Sequence, residues 1–342
     1  MWIRLKPGLL VGRRRSGALA DVGGRLVAVD ESEAQVLESL STRWMFHSDV
    51  ASVGPTIRLV NEGLLERRDA AWDGDPDGSS EHALVYSEAE LYEAAFGYRD
   101  YRSEWSFLES LWHRFGWEVP SPHMVEIAAG PAGHALVAAR EGWTAYALDR
   151  SAAMVELGRN RARETGVNLD YSQQDMATFS IQARCHVAIT MLDSISYITS
   201  NDKFLSHLSA VREALLPGGL YIIETDHPAA VFGFDRTTES SWTVGYRGAE
   251  LRVEWIAEAK SFDPITQCSR VSASFELWSG GQRERVVRET AWQRAFTFQE
   301  IDALAKASGT FEIVGVFGGF DLDLGLADDD AWRTVVTMRR IA

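Results

Sequence analysis

Apolar residues follow two alternating spacings through the middle of the chain. Short apolar runs, namely MVEIAA, TAYALD, HVAITML and LYIIET, have the length and composition of buried strands. The segments between them, such as SAAMVELGRNRARETG and NDKFLSHLSAVREALLPGG, carry apolar residues at helical spacing. Strands that alternate with helices in this way form parallel sheets with helices on both faces. The pattern therefore predicts an α/β fold with a doubly wound, mostly parallel sheet.

The spacing changes after His227. From about residue 242 to 295, apolar and polar residues alternate with period two, and DPIT and SGGQ supply turns. This pattern predicts an inserted antiparallel sheet of two or three long strands. Thr297 is the predicted N-cap of a following helix, with Glu300 at the capping-box position. The segments FEIVGVFGG and AWRTVVTMRR are the predicted closing strands.

The first 69 residues form a separate predicted unit. LLVGRRRSGALADVGGRLVAVD is expected to form short strands joined by a Gly-Gly turn. Asp30 is a predicted helix N-cap with Glu33 at the capping-box position, and SVGPTIRLVNEGLLERRD predicts a second helix and a short strand. This order predicts a small winged-helix α+β domain. Residues 70–85 are acidic and rich in Gly, Ser and Pro, which is typical of a linker, and residues 86–342 form the second predicted domain.

Composition narrows the class of protein. The 342-residue chain is 46% hydrophobic with a formal net charge of -15, so general nucleic-acid binding, which needs a basic surface, is not expected. No apolar run reaches the roughly 18 residues of a membrane-spanning helix, and the N-terminus lacks a signal-peptide pattern. Cys185 and Cys268 have neither metal-binding nor disulfide spacing. We therefore expect a cytoplasmic protein with no membrane partner, no nucleic-acid partner and no metal.

The loop AAGPAG, after the first strand of the sheet, indicates the ligand. Gly130 and Gly133 let the backbone approach a ligand closely, which both a dinucleotide and S-adenosylmethionine would require. Pro131 removes an N–H donor that a pyrophosphate needs. A carboxylate at Glu126 would repel a pyrophosphate and attract a sulfonium or ammonium group. The loop favours S-adenosylmethionine, and a dinucleotide-binding oxidoreductase or nucleotide sensor remains the alternative.

Acidic residues also follow the next two predicted strands. Asp149 ends the second strand, where a carboxylate can accept hydrogen bonds from the ribose hydroxyls of a nucleoside. Asp175, in QQDMATF, can accept a hydrogen bond from an adenine amino group, and Met176 can pack on the ring. These positions predict a nucleoside site across the carboxyl ends of the strands.

From Tyr98 to the C-terminus, the chain resembles class I S-adenosylmethionine-dependent methyltransferases. VEIAAGPAGHALVAAREGWTAYALDRSAAMVELG resembles their first two motifs, and QQDMATF resembles their acidic adenine motif. AITMLDSISYI resembles their fourth-strand segment, and LLPGGLYIIET the loop and strand that follow. The chain departs from many members at Ala128 and Ala132, where they have glycine. The resemblance implies the class I methyltransferase fold, a methyltransferase activity and S-adenosylmethionine as cofactor.

The resemblance also implies a set of site residues. YRDYRSEWSFL resembles the helix that covers the cofactor in many members, so Tyr98 and Tyr101 are expected to close over it. The remaining cofactor-binding residues are Glu126, Ala128 and Gly130 at the methionine end, Asp149 and Arg150 at the ribose, Asp175 and Met176 at the adenine, and Leu192 and Asp193 near the sulfonium and the acceptor.

The inserted sheet resembles the lid of small-molecule N-methyltransferases, including those that act on aminosugars and glycine. Its Trp242, Trp255, Trp278 and Trp292 could enclose an acceptor or favour a cation, although such positions also pack the sheet itself. Methyl transfer to an amine needs positioning and the loss of a proton. The candidate bases are His227 and Asp193, and Tyr101 is the third candidate catalytic residue.

The N-terminal unit bears on the acceptor. GRLVAVDESEAQVLESLS and NEGLLERR resemble the small winged-helix domain that binds leader peptides on enzymes modifying ribosomally made peptides. Such domains add the leader as a strand to a sheet edge, so a precursor peptide is the first predicted acceptor. The alternative is a small-molecule N- or O-methyltransferase whose winged helix forms a homodimer. DNA binding through GRRRSG is disfavoured by the acidic charge.

Overall fold

The structure, a computed structural model, describes residues 84–232, 239–258 and 261–341, together with six strands before residue 69. The chain divides into two compact units, Met1–Asp73 and Gly74–Ala342. Among the described helices, none combines the length and the apolar character needed to cross a membrane.

The described residues of the first unit form two antiparallel sheets. The strands are β1 Trp2–Leu5, β2 Leu10–Arg14, β3 Gly17–Val22, β4 Arg25–Val29, β5 Met45–Phe46 and β6 Leu65–Arg68. They form the orders β2-β3-β4 and β5-β1-β6, and Val22 pairs with Arg25 beside the predicted Gly-Gly turn. The predicted helices after Asp30 and Ser52 lie outside the described residues, so the winged-helix domain stays a prediction.

The second unit carries helices, a central sheet and a second sheet. From residue 84 to residue 214, the elements are α1 Leu84–Ser87, α2 Ala89–Ala95, α3 Tyr101–Phe115, β7 His123–Ile127, α4 Gly133–Arg140, β8 Thr144–Asp149, α5 Ala152–Thr165, β9 Leu169–Gln173, β10 Cys185–Thr190, a 3-10 turn Ser194–Tyr197 and α6 Asn201–Ala214. The remainder are β11 Leu215–Asp226, α7 Pro228–Val231, β12 Glu239–Tyr246, β13 Ala249–Ala257, β14 Cys268–Ser279, β15 Gln282–Arg294, α8 Phe298–Ser308, β16 Phe311–Phe317 and β17 Arg333–Arg340.

The central sheet has seven strands in the order β16-β17-β11-β10-β7-β8-β9. The strands from β11 to β9 are parallel, and β17 and β16 add an antiparallel edge. The chain runs outward from β7 to β9 and then returns to β10 on the other side of β7. This reversal opens a crevice at the carboxyl ends of the strands, where ligands of such sheets bind. The predicted mostly parallel α/β sheet is confirmed.

Consecutive residues of the central strands lie on opposite faces of the sheet. Met124 and Val125 are both fully buried, but they belong to separate apolar clusters. The Met124 cluster packs against α3 and α4, for example at Leu111, and the Val125 cluster packs against α6 and α8, for example at Leu208. Helices therefore cover both faces, as the alternating pattern predicts.

The second sheet contains one strand more than the highest number predicted. Its four antiparallel strands run in the order β12-β13-β14-β15, where the sequence predicted two or three. The additional strand, ESSWTVGY, was missed because its first half is polar; the turn at Arg247 and Gly248, both with positive φ, joins it to β13. As predicted, the Thr297 side chain caps α8 by accepting the Glu300 N–H at 3.2 Å.

We expect Gly158→Ala to destabilise the protein although alanine favours helices by about 1 kcal/mol over glycine. A Cβ at Gly158 would lie 2.4 Å from the Tyr171 ring. That ring is 1% exposed and is fixed by a hydrogen bond from its hydroxyl to the Gly130 carbonyl. Because overpacking costs about 1–3 kcal/mol and the helix propensity of alanine offsets about 1 kcal/mol, denaturant unfolding should show a net loss of up to about 2 kcal/mol.

Gly245→Ala on β12 is the matched control, because a Cβ there has no neighbour within 4 Å. Equal stability of both variants would mean that the Tyr171 ring can move aside.

Candidate functional site

A cavity of about 1000 Å³ lies between the carboxyl ends of the central strands and the inner face of the antiparallel sheet. From the central sheet it is lined at Ala128, Asp149–Ser151, Gln174–Ala177, Leu192–Ser194 and Thr225–Asp226, which follow or end β7, β8, β9, β10 and β11. The antiparallel sheet contributes Ser240, Trp242, Trp255, Ala257, Ser269, Val271 and Gln293. This volume reaches the upper end of the range for small-molecule pockets, about 300–1,000 Å³.

The loop after β7 turns sharply because three of its residues adopt left-handed backbone angles. Ala128, Gly130 and Ala132 have φ values of 55°, 53° and 62°. An alanine in this conformation costs about 1–2 kcal/mol, so Ala128 and Ala132 carry strain. The Gly130 N–H donates to Asp149 Oδ2 at 2.9 Å. The loop is therefore tied to the end of β8.

Asp149 lies half-buried in the cavity wall with both carboxylate oxygens anchored. Oδ2 accepts the Gly130 N–H, and Oδ1 accepts the Ser151 N–H at 2.8 Å. Burial raises the pKa of Asp149, and these two N–H groups oppose the rise. Each oxygen keeps acceptor capacity, which suits a pair of neighbouring hydroxyls. The exposed Arg150 also lines the cavity.

His207, which the sequence analysis did not single out, fixes the loop after β9 through a hydrogen bond. His207 Nδ1 donates to the Met176 carbonyl at 2.7 Å, and Nε2 lies 2.5 Å from the Tyr221 hydroxyl. Burial lowers the pKa of His207 to about 4, so the ring is neutral and accepts the Tyr221 proton. Met176 and the exposed Asp175 both line the cavity. The only sequence signal for His207 is its position on the buried face of a predicted helix.

The turn after β10 holds two strained residues against β11. Leu192 and Asp193 have φ values of 53° and 55°. The Leu192 N–H donates to Glu224 Oε2 at 2.7 Å. Asp193 Oδ1 accepts from Thr225 Oγ1 at 2.5 Å and from the Asp226 N–H at 3.2 Å. Burial raises the pKa of Asp193 to about 6, against the opposing effects of the Thr225 hydrogen bond and the Arg333 charge.

Glu126 lies outside the cavity lining, which changes the role expected from the sequence. The side chain is 4% exposed. Its Oε2 accepts the Ala135 N–H at 2.8 Å, and its Oε1 lies 2.8 Å from His134 Nδ1. The carboxylate therefore stabilises the start of α4 and pairs with a histidine, instead of facing a cationic ligand.

Tyr101 and His227 are also absent from the cavity lining. The Tyr101 ring packs edge-on to His134, with the centroids 5.0 Å apart. His227 caps the short α7: its Nδ1 accepts the Ala229 N–H at 3.3 Å, and its Nε2 donates to the Leu326 carbonyl at 3.1 Å. Both ring nitrogens are engaged, so the geometry does not favour His227 as a base. Of the three candidate catalytic residues, only Asp193 lines the cavity.

Aromatic side chains cover the cavity from two directions. Tyr98 is 66% exposed and lies with its ring centroid 6.2 Å from that of Trp242. Trp242 is fixed by a hydrogen bond from Nε1 to the Ala95 carbonyl at 2.8 Å. Trp255 also lines the cavity, whereas Trp278 and Trp292 do not. Sequence reasoning missed several further lining residues: Tyr86, Tyr92, Ser196, Tyr197, Lys203, Gln293, Arg294 and Arg333.

Within the described part of the chain, three acidic side chains of the cavity lack an ion-pair partner, whereas its two less exposed arginines are paired. Arg294 pairs with Glu300, and Arg333 pairs with Glu224 and Asp226. Asp149, Asp175 and Asp193 have no ion-pair partner within 4.0 Å among the described residues. The other lining cations, Arg150 and Lys203, are exposed, where water and salt screen them. The cavity interior therefore favours cationic ligands.

Comparison with known proteins agrees with this geometry. Residues 124–219 match the family described as "Methyltransferase domain". A S-adenosylmethionine-dependent methyltransferase from Clostridium acetobutylicum ATCC 824 is similar in structure, with a TM-score of 0.62 at 17% identity over 74% of this chain and 98% of that one. No curated protein sequence matches the chain.

Two sugar-modifying enzymes share the fold. The amino pentose methyltransferase CalS10 from Micromonospora echinaspora has a TM-score of 0.57 at 17% identity, over 73% of this chain and 96% of its own. The sugar N-methyltransferase KedS8 from Streptoalloteichus sp ATCC 53650 has a TM-score of 0.57 at 16% identity, over 79% and 98% of the two chains. The predicted S-adenosylmethionine-dependent methyltransferase, with S-adenosylmethionine as its cofactor, is confirmed.

We expect Asp149→Asn to weaken the binding of S-adenosylhomocysteine by about 10- to 100-fold, since hydrogen bonds to a charged group contribute about 1.5–3 kcal/mol. The asparagine can accept at only one side-chain oxygen, while two backbone N–H groups and the ligand hydroxyls compete for it. Calorimetry measures the dissociation constant. Asp170→Asn, at an exposed carboxylate outside this cavity, is the matched control. If the two variants bind S-adenosylhomocysteine with equal affinity, Asp149 is not a cofactor-binding residue.

Proposed function

We propose that this protein transfers a methyl group from S-adenosylmethionine to an amine, and that Asp193 accepts the proton that the amine releases. The observation that carries the proposal is the carboxyl group of Asp193. It faces the cavity at the carboxyl end of β10, has no ion-pair partner within 4.0 Å among the described residues, and has a pKa raised to about 6.

The residues around the cavity fit the cofactor. Asp149 would accept the ribose hydroxyls, Asp175 and Met176 would frame the adenine, and Ala128, Gly130 and Leu192 would border the methionine end. A Cβ at Gly130 would have only the Tyr92 ring nearby, at 3.8 Å, so space remains beside this backbone. The unpaired acids match a ligand with two positive groups. When bound, S-adenosylmethionine supplies the activated methyl group.

Asp193 suits the removal of a proton near neutral pH. A general base works best when its pKa lies near the working pH, and a pKa of about 6 leaves most of the carboxyl group ionised at pH 7. Thr225 and the Asp226 N–H hold one oxygen of Asp193. The other oxygen keeps its acceptor capacity for the acceptor nitrogen.

An amine fits this base better than a hydroxyl does. A neutral amine already carries a nucleophilic lone pair, so the base has only to take up the proton of the protonated amine. An alcohol is a weaker nucleophile and a far weaker acid, and a carboxylate with a pKa of about 6 removes its proton poorly. The acidic interior also attracts an ammonium group before it is deprotonated. The alternative acceptor is a hydroxyl group. A remote alternative function is that of a dinucleotide-binding oxidoreductase or sensor.

We expect Asp193→Asn to lower kcat for an amine acceptor by about 100- to 10,000-fold, the usual contribution of a general base. S-adenosylhomocysteine should bind within a few-fold of wild type, because the asparagine keeps the side-chain size and one acceptor oxygen. In the wild type, kcat should fall below about pH 6 as Asp193 becomes protonated. Methyl transfer to a simple amine such as a free aminosugar, followed by mass spectrometry, provides the rates.

Asp226→Asn is the control, because Asp226 also lines the cavity but is paired with Arg333. If Asp193→Asn keeps wild-type turnover and pH profile, Asp193 is not the base.

For the acceptor, we propose a precursor peptide whose leader binds to residues 1–69 by strand addition. Among the described strands, β2 and β4 each pair with one neighbour only, and the edge of a sheet is the position that strand addition uses. The alternative is a small-molecule acceptor, with the N-terminal unit forming a homodimer. We assign the protein to the cytoplasm, with no membrane or nucleic-acid partner.

Deletion of residues 1–73 separates these alternatives. With a peptide acceptor, the truncated protein should bind S-adenosylhomocysteine normally but lose at least about 10-fold in kcat/KM for the full precursor, because the leader no longer concentrates the core peptide at the cavity. With a dimerising unit, light scattering should show that only the full-length chain is dimeric. Equal turnover of the precursor by both proteins would exclude leader binding.

A further inference from the structure

A line of charged side chains, most of them buried, runs beneath the cavity. Its members are Glu126 on β7, His134 on α4, Glu104 on α3, Arg99 before α3, Glu224 on β11 and Arg333 on β17. Of these, only Arg333 lines the cavity. We infer that His134 is a positioning residue for cofactor binding: a buried imidazolium that links the loop after β7 to the turn after β10 through this ionic chain.

His134 lies between two carboxylates. Its Nδ1 is 2.8 Å from Glu126 Oε1, and its Nε2 is 2.7 Å from Glu104 Oε2, with the His134 side chain 2% exposed. Only the doubly protonated ring can donate a hydrogen bond at both nitrogens. Burial alone would lower the pKa of His134, but Glu126 and Glu104 raise it to about 9. The ring is therefore charged at neutral pH.

One end of the chain fixes the loop that contains Ala128 and Gly130. One carboxylate oxygen of Glu126 accepts the hydrogen bond from His134, and the other accepts the Ala135 N–H. It thereby holds the first turn of α4 against the end of β7. The strained residues between these two elements keep their left-handed angles only if both ends are fixed.

The other end fixes the turn that contains Asp193. Arg99 Nε donates to Glu104 Oε1 at 3.0 Å, and Arg99 Nη2 donates to Glu224 Oε2 at 3.2 Å. The same Glu224 oxygen accepts the Leu192 N–H at 2.7 Å. The two strained turns of the cavity are therefore held by one continuous set of ionic contacts, in which His134 lies between Glu126 and Glu104.

Charge balance decides what happens when a member is lost. Glu104, Glu126 and Glu224 face Arg99, His134 and Arg333, each group within 4.0 Å of an opposite charge. Removal of one member leaves a buried charge without compensation, which is far more costly than removal of an opposite pair. A histidine that merely filled space would show no such dependence on its partner.

The experiment compares His134→Gln, Glu104→Gln and the double variant in the full-length chain. We expect each single variant to bind S-adenosylhomocysteine about 10- to 100-fold more weakly by calorimetry. The double variant should recover to within about 5-fold of wild type, because it removes one charge of each sign. His113→Gln, at an exposed position on α3, is the matched control and should bind normally.

The pH dependence supplies a second readout that a purely structural role would not move. The charged or titratable groups facing the ring are Glu104 and Tyr101 from α3 and Glu126 from β7, with Arg99 beyond Glu104. Because the folded pKa of about 9 exceeds the unfolded value of about 6.5, the stabilisation is complete below pH 6.5 and is lost as the pH rises through 9. The affinity and melting temperature of the wild type should therefore approach those of His134→Gln above pH 9.

Two outcomes would overturn the inference. In the first, the fold-losses of the single variants multiply in the double variant, which indicates independent packing effects. In the second, melting of the wild type shows no loss of stability between pH 7 and about 10; this measurement decides the matter even if the variants do not fold. The inference rests on cofactor binding in this cavity and not on the amine acceptor. A lack of amine turnover would therefore refute the proposed function and leave these binding results intact.

Discussion

The ionic contacts of Glu224 are the interaction on which the shape of the cavity depends. This carboxylate is fully buried at the end of β11, where it accepts the N–H of Leu192 and lies beside Arg99 and Arg333. Leu192 and the next residue adopt left-handed angles, which cost about 1–2 kcal/mol each. Such a turn persists because its N–H has a carboxylate acceptor, and two arginines lie beside that carboxylate.

Carboxylates of the same kind therefore have two separate roles in this protein. Glu126 and Glu224 are paired with cations and fix the backbone around the cavity. Asp149 and Asp193 receive only N–H or O–H donors, and burial raises the pKa of both. The first set gives rigidity, because its charges are neutralised locally. The second set leaves negative charge for the ligand, which agrees with a cofactor that carries a sulfonium and an ammonium group.

The parts of the site that could be predicted from the sequence are those set by local position. Asp149, Asp175 and Gly130 follow directly from strand ends in a parallel sheet, so the period of the apolar residues was sufficient to find them. Glu126 was assigned to the ligand because the contacts around it could not be seen in the sequence: its partner His134 belongs to the next helix, and His134 in turn pairs with Glu104 on the helix before β7. Likewise, the position of His227 suggested a base, but Pro228 starts a short helix that the ring of His227 caps. Pairings between distant segments decide these roles, and the spacing along the chain carries no information about them.

The pKa of Asp193 connects the fixed backbone to the proposed chemistry. A carboxyl group in water, with a pKa of about 3.9, would accept the proton of an amine poorly. A group with a much higher pKa would take up the proton and then fail to release it to water at pH 7. The value of about 6 results from burial in the turn after β10, partly offset by Thr225 and Arg333. Because Glu224 holds both that turn and Arg333, the ionic chain beneath the cavity fixes the position of Asp193, and Arg333 is one of the groups that oppose the rise of its pKa on burial.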